Sequence, residues 1–401
     1  MGMIAETRPI QVQLRKDLVR NIKRGHAWLY SDALETVQEE AGPQAIIFDR
    51  KRQAVACGMY SADHPIRVRV CRTQPPFVLD DEWLIGKLRA AVSLRSRCFS
   101  ADTTAFRLVA GEGDGLPGLV MDVYDRVLVI KVDGGAPQAF YQPQQIAEWL
   151  MQELNLSCVI LRSRHRQGGG TFTQTAEVLC GQLSTNPVAF LENGLAFTAD
   201  VLHGQKTGFF LDQRDNRSLV RSLSKGLRVL NLFSFSGGFS IAAGVGGASH
   251  VTSVDIAKPA IEAADRHWLD NGLEPKQHAS EAIDCFEFLD RAAKAHEHWD
   301  LVICDPPSFA PSERSREKAI PAYGKLAQLA ARVTGSGGLL AAASCSSHVT
   351  SLEFSSINAE ALGKERRNAT LLCDRGLPPD HPTPLAMPEL RYLKFQLFRL
   401  D

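Results

Sequence analysis

The sequence lacks an excess of charge of either sign. Its 45 Lys and Arg residues balance 45 Asp and Glu residues over 401 positions, which excludes a protein held to nucleic acid by bulk positive charge alone. It also lacks a run of eighteen apolar residues and an apolar segment near residue 1. We therefore expect neither a membrane span nor a signal peptide, and we predict a cytoplasmic protein. The composition, 44% hydrophobic and 22% charged, is typical of a globular chain.

Closely spaced cysteines are absent as well. The chain has nine cysteines, and no two of them are closer than fourteen residues. This spacing excludes a C-x-x-C motif and a zinc knuckle, so we predict no metal site. Without an export signal the thiols are expected to be reduced, and most of them to fill cores.

The length of the chain predicts more than one domain. Short β-branched runs predict a small β-rich domain at 1–75. A central α+β module of the order strand–strand–helix–strand–strand is predicted at 76–190, with helical periodicity at 81–99 and 143–154. Strand-like runs alternate with helices at 191–401, which predicts a doubly wound parallel sheet that binds its ligands at the carboxyl ends of the strands. Residues 1–75 carry 12 Lys and Arg against 8 Asp and Glu, a net charge of +4, whereas each of the other two segments carries −2.

The basic end of the chain contains a cluster of cations next to aromatic residues. Arg15, Lys16, Lys23 and Arg24 precede Trp28. Cations interleaved with aromatic rings suit RNA, because phosphates bind the cations and bases stack on the rings. The alternative is an ordinary solvated helix face with buried aromatic side chains.

A strand that turns into a helix through glycines predicts a nucleoside site. Val229–Leu232 is such a strand, Gly237 and Gly238 follow it, and the next strand ends in Asp255. In Rossmann-like folds an acid at that position accepts hydrogen bonds from ribose hydroxyls. No G-x-G-x-x-G is present, which disfavours a dinucleotide and a dehydrogenase. S-adenosylmethionine fits better, because it carries adenosine and an amino acid but no phosphate.

Two further strand ends carry residues that could take part in a reaction. Asp305-Pro306-Pro307 follows an apolar strand, and its carboxylate can accept from the exocyclic amine of a base; the alternative is a rigid structural turn. Cys345 closes the next strand, three residues before His348, which could tune the thiol.

A thiolate and a carboxylate together suit methylation at carbon 5 of a pyrimidine. The thiolate adds to carbon 6 and makes carbon 5 nucleophilic, while the carboxylate stabilises charge on the ring. Two alternatives stay open: methyl transfer to an exocyclic amine of a purine in RNA, which needs no thiol, and a non-catalytic RNA-binding or assembly factor.

These motifs occur together in a known family. The sequence resembles the 23S ribosomal RNA cytosine-5 methyltransferases that carry an N-terminal PUA domain, over nearly the whole chain. The resemblance rests on these runs: Gly25-His26-Ala27-Trp28, residues 107–118 (RLVAGEGDGLPG), residues 206–214 (KTGFFLDQR), the glycine turn, Asp305-Pro306-Pro307 and Ser344-Cys345-Ser346.

The resemblance implies a fold and a function. The fold would be α/β, with a C-terminal Rossmann-like class I methyltransferase domain preceded by a PUA domain and a central α+β module. The substrate would be 23S ribosomal RNA or a large-subunit precursor, and the methyl donor would be S-adenosylmethionine. The resemblance also allows a homodimer.

It also implies roles for individual residues. Cys345 would be the nucleophile and Asp305 its catalytic partner, with Pro306 and Pro307 at the RNA. Related enzymes with two cysteines have the second one where this chain has Ser308, so one catalytic thiol is expected. Residues 312–319 would be a mobile basic loop. The implied cofactor residues are Phe209, Asp212, Arg214, Phe233, Ser234, Gly237, Asp255, Ile256, Asp284 and Asp305.

Overall fold

The computed structural model describes residues 2–6, 8–35, 37, 44–166, 172–310 and 312–401. The chain divides into two compact units. The first comprises Met1–Leu191, Thr198–Leu211 and Pro379–Pro388, and the second comprises Glu192–Phe197, Asp212–Pro378 and Glu389–Asp401. No helix within the described ranges has the length and apolar character needed to cross a membrane.

The first unit contains two five-stranded sheets. The strands of the first sheet are β1 (Ile10–Gln13), β2 (Trp28–Tyr30), β3 (Gln44–Phe48), β4 (Ala54–Tyr60) and β5 (Ile66–Arg72), in the order β1-β3-β4-β5-β2. Those of the second are β6 (Ala105–Ala110), β7 (Leu119–Tyr124), β8 (Val127–Val132), β9 (Cys158–Arg166) and β10 (Phe172–Gly181), in the order β10-β9-β8-β7-β6. The helices are α1 (Val19–Lys23), α2 (Asp81–Cys98), α3 (Ala136–Phe140) and α4 (Pro143–Glu153).

The central module differs from its predicted strand order. Three strands, β6 to β8, precede helices α3 and α4, where two were predicted. The additional strand arises because the chain turns twice, once through the short helix Gly111–Asp114 and once at Asp125, whose φ is +54°. The helices predicted at 81–99 and 143–154 are present as α2 and α4.

Two carboxylates of the run 107–118 have structural partners. Glu112 accepts from Arg69 of β5 and from the indole N–H of Trp28, each at 2.7 Å. Asp114 accepts two hydrogen bonds from Arg95 of α2, at 2.5 and 2.8 Å. The side chain of Arg95 is 1% exposed, so this pair is buried and removing one partner would leave a charge without compensation. This motif therefore contributes to the stability of the first unit.

The second unit is a seven-stranded sheet covered by helices. Its strands are β13 (Arg228–Leu232), β14 (His250–Asp255), β15 (His278–Ala282), β16 (Trp299–Cys304), β17 (Thr334–Ser344), β18 (Ala369–Arg375) and β19 (Lys394–Leu400), in the order β15-β14-β13-β16-β17-β19-β18. Its helices are α5 (Arg214–Leu223), α6 (Gly238–Val245), α7 (Lys258–Asp270), α8 (Cys285–Lys294), α9 (Arg316–Val333) and α10 (Ser351–Lys364). The hairpin of β11 (Val188–Glu192) and β12 (Leu195–Ala199) precedes them in the chain.

Alternation along the central strand explains why helices cover both faces of this sheet. On β13, Leu230 and Leu232 belong to one buried cluster and Val229 to another. All three side chains are 0% exposed. Since neighbouring residues of a strand point to opposite faces, both faces must be covered to remove these side chains from water. The predicted α/β fold class is confirmed.

The parallel sheet has one exception. β19 runs antiparallel to both β17 and β18. In the described chain the connection from β18 to β19 contains no α-helix, only the short 3₁₀ helix Pro388–Leu390. Parallel neighbours need a long crossover connection, usually a helix, so a strand that returns without one pairs antiparallel. This strand was not predicted.

Candidate active site

Four polar segments meet at one edge of the seven-stranded sheet. In the parallel register Leu232 pairs with both Val254 and Cys304, and Cys304 pairs with Ala342. The residues that follow these positions therefore lie side by side: the glycine turn, Asp255, the Asp-Pro-Pro loop and Cys345. The structure brings the residues predicted from separate strand ends into one neighbourhood within the second unit.

The glycine turn after β13 has an unusual backbone. Phe233, Phe235 and Gly237 all have positive φ, at +56°, +48° and +81°. The N–H of Ser234 donates to the carbonyl of Val254 at 2.9 Å. His267 of α7 lies 2.8 Å, through Nδ1, from the Ser236 carbonyl, and burial lowers the pKa of this histidine. Contacts from β14 and α7 thus hold a loop that would otherwise be strained.

Glycine at 237 has a structural reason that the sequence does not show. A Cβ at this position would lie 2.8 Å from the Cβ of Ala264 and 2.9 Å from the Cδ1 of Ile241. Gly237 is therefore required by the left-handed φ and by close packing of the turn onto α7 and α6.

Asp255 binds the backbone in this structure. Its Oδ2 accepts from the N–H of Phe235 and its Oδ1 from the N–H of Ala257, both at 2.9 Å. Each carboxylate oxygen can accept more than one hydrogen bond, so ribose hydroxyls can still be accommodated. Ile256 is 73% exposed next to it and offers an apolar surface for a flat ring.

Asp284 lies at the end of the neighbouring strand β15 and begins α8. Its Oδ1 accepts from the N–H groups of Phe286 and Glu287, at 2.9 and 3.1 Å, and its side chain is exposed. This is an N-cap, which explains the residue type without a ligand. Its predicted place beside adenine stays a prediction. Next to it the Phe233 N–H points to the Cys285 sulfur at 3.2 Å, and burial raises the pKa of that thiol to about 12.

The KTGFFLDQR run spans both units. Phe209 belongs to the first, where its N–H donates to the Tyr124 hydroxyl at 3.1 Å. Asp212 and Arg214 belong to the second, and both are buried. The Asp212 carboxylate accepts from the hydroxyl of Tyr392 at 2.7 Å. The contribution of these three residues to cofactor binding stays a prediction.

The Asp-Pro-Pro loop is tied to the turn that carries Cys345. The hydroxyls of Ser308 and Ser346 lie 2.9 Å apart, and the N–H of Ala310 donates to the Ser346 hydroxyl at 3.3 Å. Tyr323 of α9 lies 2.7 Å from the Ser346 hydroxyl and accepts from Ser344 at 3.0 Å. Serines on both sides of the thiol thus fix its position against the loop. Pro306 is buried and Pro307 is exposed.

Two cysteines near this edge have different surroundings. Cys345 is partly exposed, whereas Cys304 is 3% exposed and belongs to a hydrophobic cluster. Burial raises the pKa of the Cys304 thiol, which suits a structural residue. His348 lies 3.1 Å, through Nδ1, from a carboxylate oxygen of Glu313. Its predicted effect on the Cys345 thiol stays a prediction.

The expected loop at 312–319 is wrong in part. Glu313–Ser315 form a 3₁₀ turn, and α9 begins at Arg316. Ser312 and Ser315 form a capping box, and the following Arg-Glu-Lys-Ala residues favour a helix. Local sequence preference explains the difference.

Two residues at this edge were missed by the sequence analysis. Tyr392 donates to Asp212, and the ammonium of Lys394 donates to the carbonyls of Ser346 and Tyr392. Both residues lie in the run Arg391-Tyr392-Leu393-Lys394. The only signal in the sequence is this polar run directly before a β-rich segment, and it predicts no role by itself.

The residues present fit S-adenosylmethionine. Four buried side-chain oxygens, those of Ser234, Ser236, Asn216 and Asn231, have no hydrogen-bond partner within the described chain. Buried polar atoms are costly unless they are satisfied, so such oxygens in and around a loop indicate a polar ligand. An amino-acid group suits them, a ribose suits Asp255, and an adenine suits the apolar surface of Ile256. No group of metal-binding side chains occurs in the part of the chain that the structure describes.

The predicted RNA-binding cations lie on the surface of the first unit. Arg15, Lys16, Lys23 and Arg24 are exposed, and Lys16 forms an ion pair with Asp32 at 2.5 Å. A cleft of about 290 Å³ lies beside them, and its lining includes Lys16, His26, Trp28 and Tyr30. Trp28 is half-buried, with its N–H bound to a carboxylate as described above. Contact of these residues with RNA stays a prediction.

Comparison with known proteins gives consistent matches. A family model described as S-adenosylmethionine-dependent methyltransferase matches residues 137–348, and one described as a PUA-like domain matches residues 12–73. A relative from Deinococcus radiodurans, named ribosomal RNA large subunit methyltransferase, is 39% identical over 98% of each chain. One from Photobacterium profundum, named ribosomal RNA large subunit methyltransferase I, is 33% identical over 96% of this chain and 97% of its own.

Solved structures show the same fold. One described as a SAM-dependent methyltransferase from Streptococcus mutans superposes with a TM-score of 0.83 at 24% identity, over 97% of this chain and all of that chain. Another, a methyltransferase in complex with S-adenosylhomocysteine, superposes with a TM-score of 0.84 at 24% identity, over 98% of this chain and 99% of its own.

Proposed function

The chain belongs to the family of S-adenosylmethionine-dependent methyltransferases, and we propose that it methylates carbon 5 of a cytosine in 23S ribosomal RNA or its large-subunit precursor. The names of its relatives support ribosomal RNA as the substrate. The position of Cys345 beside the Asp-Pro-Pro loop supports carbon 5 as the atom that is methylated. A PUA-like domain at 12–73 supports RNA as the partner.

The single observation that carries this proposal is the hydrogen bond between the side chains of Ser308 and Ser346. Their hydroxyls lie 2.9 Å apart, so the loop of Asp305 and the turn of Cys345 form one rigid unit. A nucleophile and an electrostatic partner must act on the same ring, and pre-organised geometry supplies much of the catalytic effect. The other cysteines near these strand ends, Cys285 and Cys304, are buried, and burial raises the pKa of each thiol.

The chemistry assigns one role to each residue. The Cys345 thiolate adds to carbon 6 of the cytosine, and the ring electrons move to carbon 5. Asp305 accepts a hydrogen bond from the exocyclic amine and stabilises the charge that develops on the ring. Carbon 5 then forms a bond to the methyl group that bound S-adenosylmethionine would supply, and the bond from that methyl to the sulfonium would break and leave a neutral thioether. A base then removes the proton from carbon 5, the bond between sulfur and carbon 6 breaks, and Cys345 leaves as a thiolate.

The first test compares ribosomal RNA from a deletion strain with that of its parent by bisulfite sequencing. The expected result is loss of a single 5-methylcytosine in the large-subunit RNA, restored by the wild-type gene. If every such site persists in the deletion strain, the proposal is wrong.

The second test replaces the thiol. Cys345→Ala should abolish methyl transfer and prevent a covalent adduct with 5-fluorocytidine RNA, because the step at carbon 6 requires a thiolate. Cys373→Ala is a matched control, since Cys373 is also partly exposed but lies on the edge strand β18. Full turnover in Cys345→Ala would instead support methylation of an exocyclic amine. Absence of S-adenosylmethionine binding would support a non-catalytic assembly factor.

Location in the cytoplasm and a homodimer stay predictions. The division of the chain at residues 75 and 190 stays one as well.

A further inference from the structure

Two cations lie side by side on the second sheet of the first unit. The parallel ladder of β8 and β9 ends with the pair Ile130 and Leu161, and both side chains pack into the hydrophobic core that α2 shares. Lys131 and Arg162 are the next residues of the same two strands, which run about 4.8 Å apart. Because side chains alternate along a strand, both cations point to the opposite face of the sheet.

The guanidinium of Arg162 is buried between neutral partners. The residue is 3% exposed. Its Nη1 donates to the carbonyl of Gly204 at 2.8 Å, and its Nη2 donates to the side-chain carbonyl of Gln174 at 2.6 Å. Among the described residues no carboxylate forms an ion pair with it. Since a buried charge is costly unless an opposite charge compensates it, this position calls for an anion.

The carboxylates around this pair of cations do not supply that anion. Three of them lie in the first unit, and each binds a different partner: Asp122 binds Arg107 at 2.8 Å, Asp133 binds Arg69 at 3.0 Å, and Asp200 binds Asn186 at 2.8 Å. Lys131 is half-buried and forms no hydrogen bond or ion pair with the described residues. Burial and the neighbouring Arg162 lower the pKa of Lys131. Positive charge is therefore in excess on this face.

The positive surface also extends along β9. Arg164 follows Arg162 by two positions and so lies on the same face of the sheet, where it is exposed. A row of cations along a strand suits a chain of phosphates better than a single small anion, because each phosphodiester of RNA carries one negative charge.

We propose that Lys131 binds a backbone phosphate of the RNA substrate, with the buried Arg162 as a fixed second charge behind it. This site rests on the function proposed above and deepens it, because it gives the central module its own contact with RNA. An ammonium has three N–H donors and can reach the exposed phosphate oxygens. Arg162 does not need to touch the RNA, since its charge acts through a poorly solvated interior that screens it weakly.

An ordinary solvated lysine predicts different behaviour, and Lys87 provides the comparison. Lys87 is half-buried as well, but it belongs to α2, which packs on the other face of the same sheet. If Lys131 only faces solvent, removing its charge should change RNA binding no more than removing the charge of Lys87.

The first experiment measures acetylation of lysines by sulfosuccinimidyl acetate in the full-length wild-type protein, with modified peptides identified by mass spectrometry. An unmodified transcript of 23S ribosomal RNA should slow acetylation of Lys131 several-fold and leave that of Lys87 unchanged. Inorganic phosphate, at the same concentration of phosphate groups, should protect neither lysine. This experiment needs no variant, so its outcome does not depend on whether a substituted protein folds.

The second experiment measures filter binding of the same transcript at several salt concentrations. Lys131→Gln should reduce the slope of log affinity against log salt by about 0.7 to 0.9, the value for one phosphate contact. With 1 M salt as the reference, this change weakens binding about fivefold to eightfold at 0.1 M salt. Lys131→Arg, which keeps the charge, and Lys87→Gln should both keep the wild-type slope.

Four results would overturn the inference: unprotected Lys131 in the RNA-bound protein, equal protection by inorganic phosphate, a wild-type slope in Lys131→Gln, or no binding of the transcript by the wild-type protein. Phosphate contacts carry no information about the base. Persistence of every 5-methylcytosine in the deletion strain would therefore contradict the proposed function and leave these results unaffected.

Discussion

The hydroxyl of Ser346 lies 2.9 Å from that of Ser308 and 2.7 Å from that of Tyr323. Through these two hydrogen bonds the turn after β17, the loop after β16 and helix α9 share one buried polar centre. Ser346 is 0% exposed, so water cannot replace these partners. This centre fixes the distance between the segments of Asp305 and Cys345.

Replacing Ser346 should affect both stability and turnover. Ser346→Ala removes the partner of two hydroxyls and one N–H, and it should lower the free energy of unfolding by about 1 to 3 kcal/mol. Ser308→Ala removes one bond at a partly exposed position and should cost less. Thermal unfolding and single-turnover methylation measure the two effects. Equal losses in the two variants, or full turnover in Ser346→Ala, would contradict this account.

Two glycines with similar backbone angles allow the cost of backbone strain to be distinguished from the cost of steric overlap. Gly237 and Gly226 have φ of +81° and +78°, but only at Gly237 would a Cβ contact other atoms. Gly226→Ala should cost about 1 kcal/mol from the left-handed conformation, and Gly237→Ala should cost about 1 to 3 kcal/mol more from overlap with α7. In calorimetric titrations Gly237→Ala should bind S-adenosylmethionine more weakly and Gly226→Ala normally. The same affinity in both would show that the packing of the turn is irrelevant to the cofactor.

The stability of the second unit should depend on pH through His278. Its ring stacks on Trp268 at 4.5 Å and lies 2.8 Å from the Ser253 hydroxyl, and burial lowers its pKa from 6.5 to about 4. Between these values the unfolded chain binds a proton that the folded chain does not. The free energy of unfolding should therefore fall by up to about 3 kcal/mol as the pH decreases from 6.5 to 4.

A variant isolates this effect. His278→Phe keeps the stacking but cannot be protonated, so it should lose that part of the pH dependence while other groups, such as His267, keep theirs. Urea unfolding at several pH values measures the slope. An unchanged slope in the variant would rule out His278 as its source.

The exposed cations of the first unit should contribute to RNA binding through phosphate contacts. Replacing Lys23 and Arg24 by Gln should weaken binding and reduce the slope of log affinity against log salt by about 2 if each contacts one phosphate. A control with the same loss of charge replaces Lys276 and Lys294, which are exposed in the second unit. Filter binding at several salt concentrations gives both slopes. Equal changes in the two double variants would indicate a bulk charge effect instead.

Much of the site was predictable because its motifs are contiguous. The strand, the glycine turn and the acid of Asp255 all occur between residues 229 and 255, and periodicity alone places them on adjacent parallel strands. The same reasoning placed Asp305 and Cys345 at one edge. The functions of Gly237 and Asp255 toward the backbone were not predictable, because they depend on how closely α7 packs and on which N–H groups reach the carboxylate.

The sequence by itself determined the fold class and the family, since hydrophobic alternation and short motifs carry that information locally. Only the tertiary structure decided which side chain binds the turn of Cys345. Lys394 reaches the carbonyl of Ser346 because β19 inserts antiparallel between β17 and β18, which brings together residues almost fifty positions apart. Such a pairing depends on the burial of a whole strand and has no signature in the nearby sequence. The role of this lysine therefore follows only from its place in the sheet.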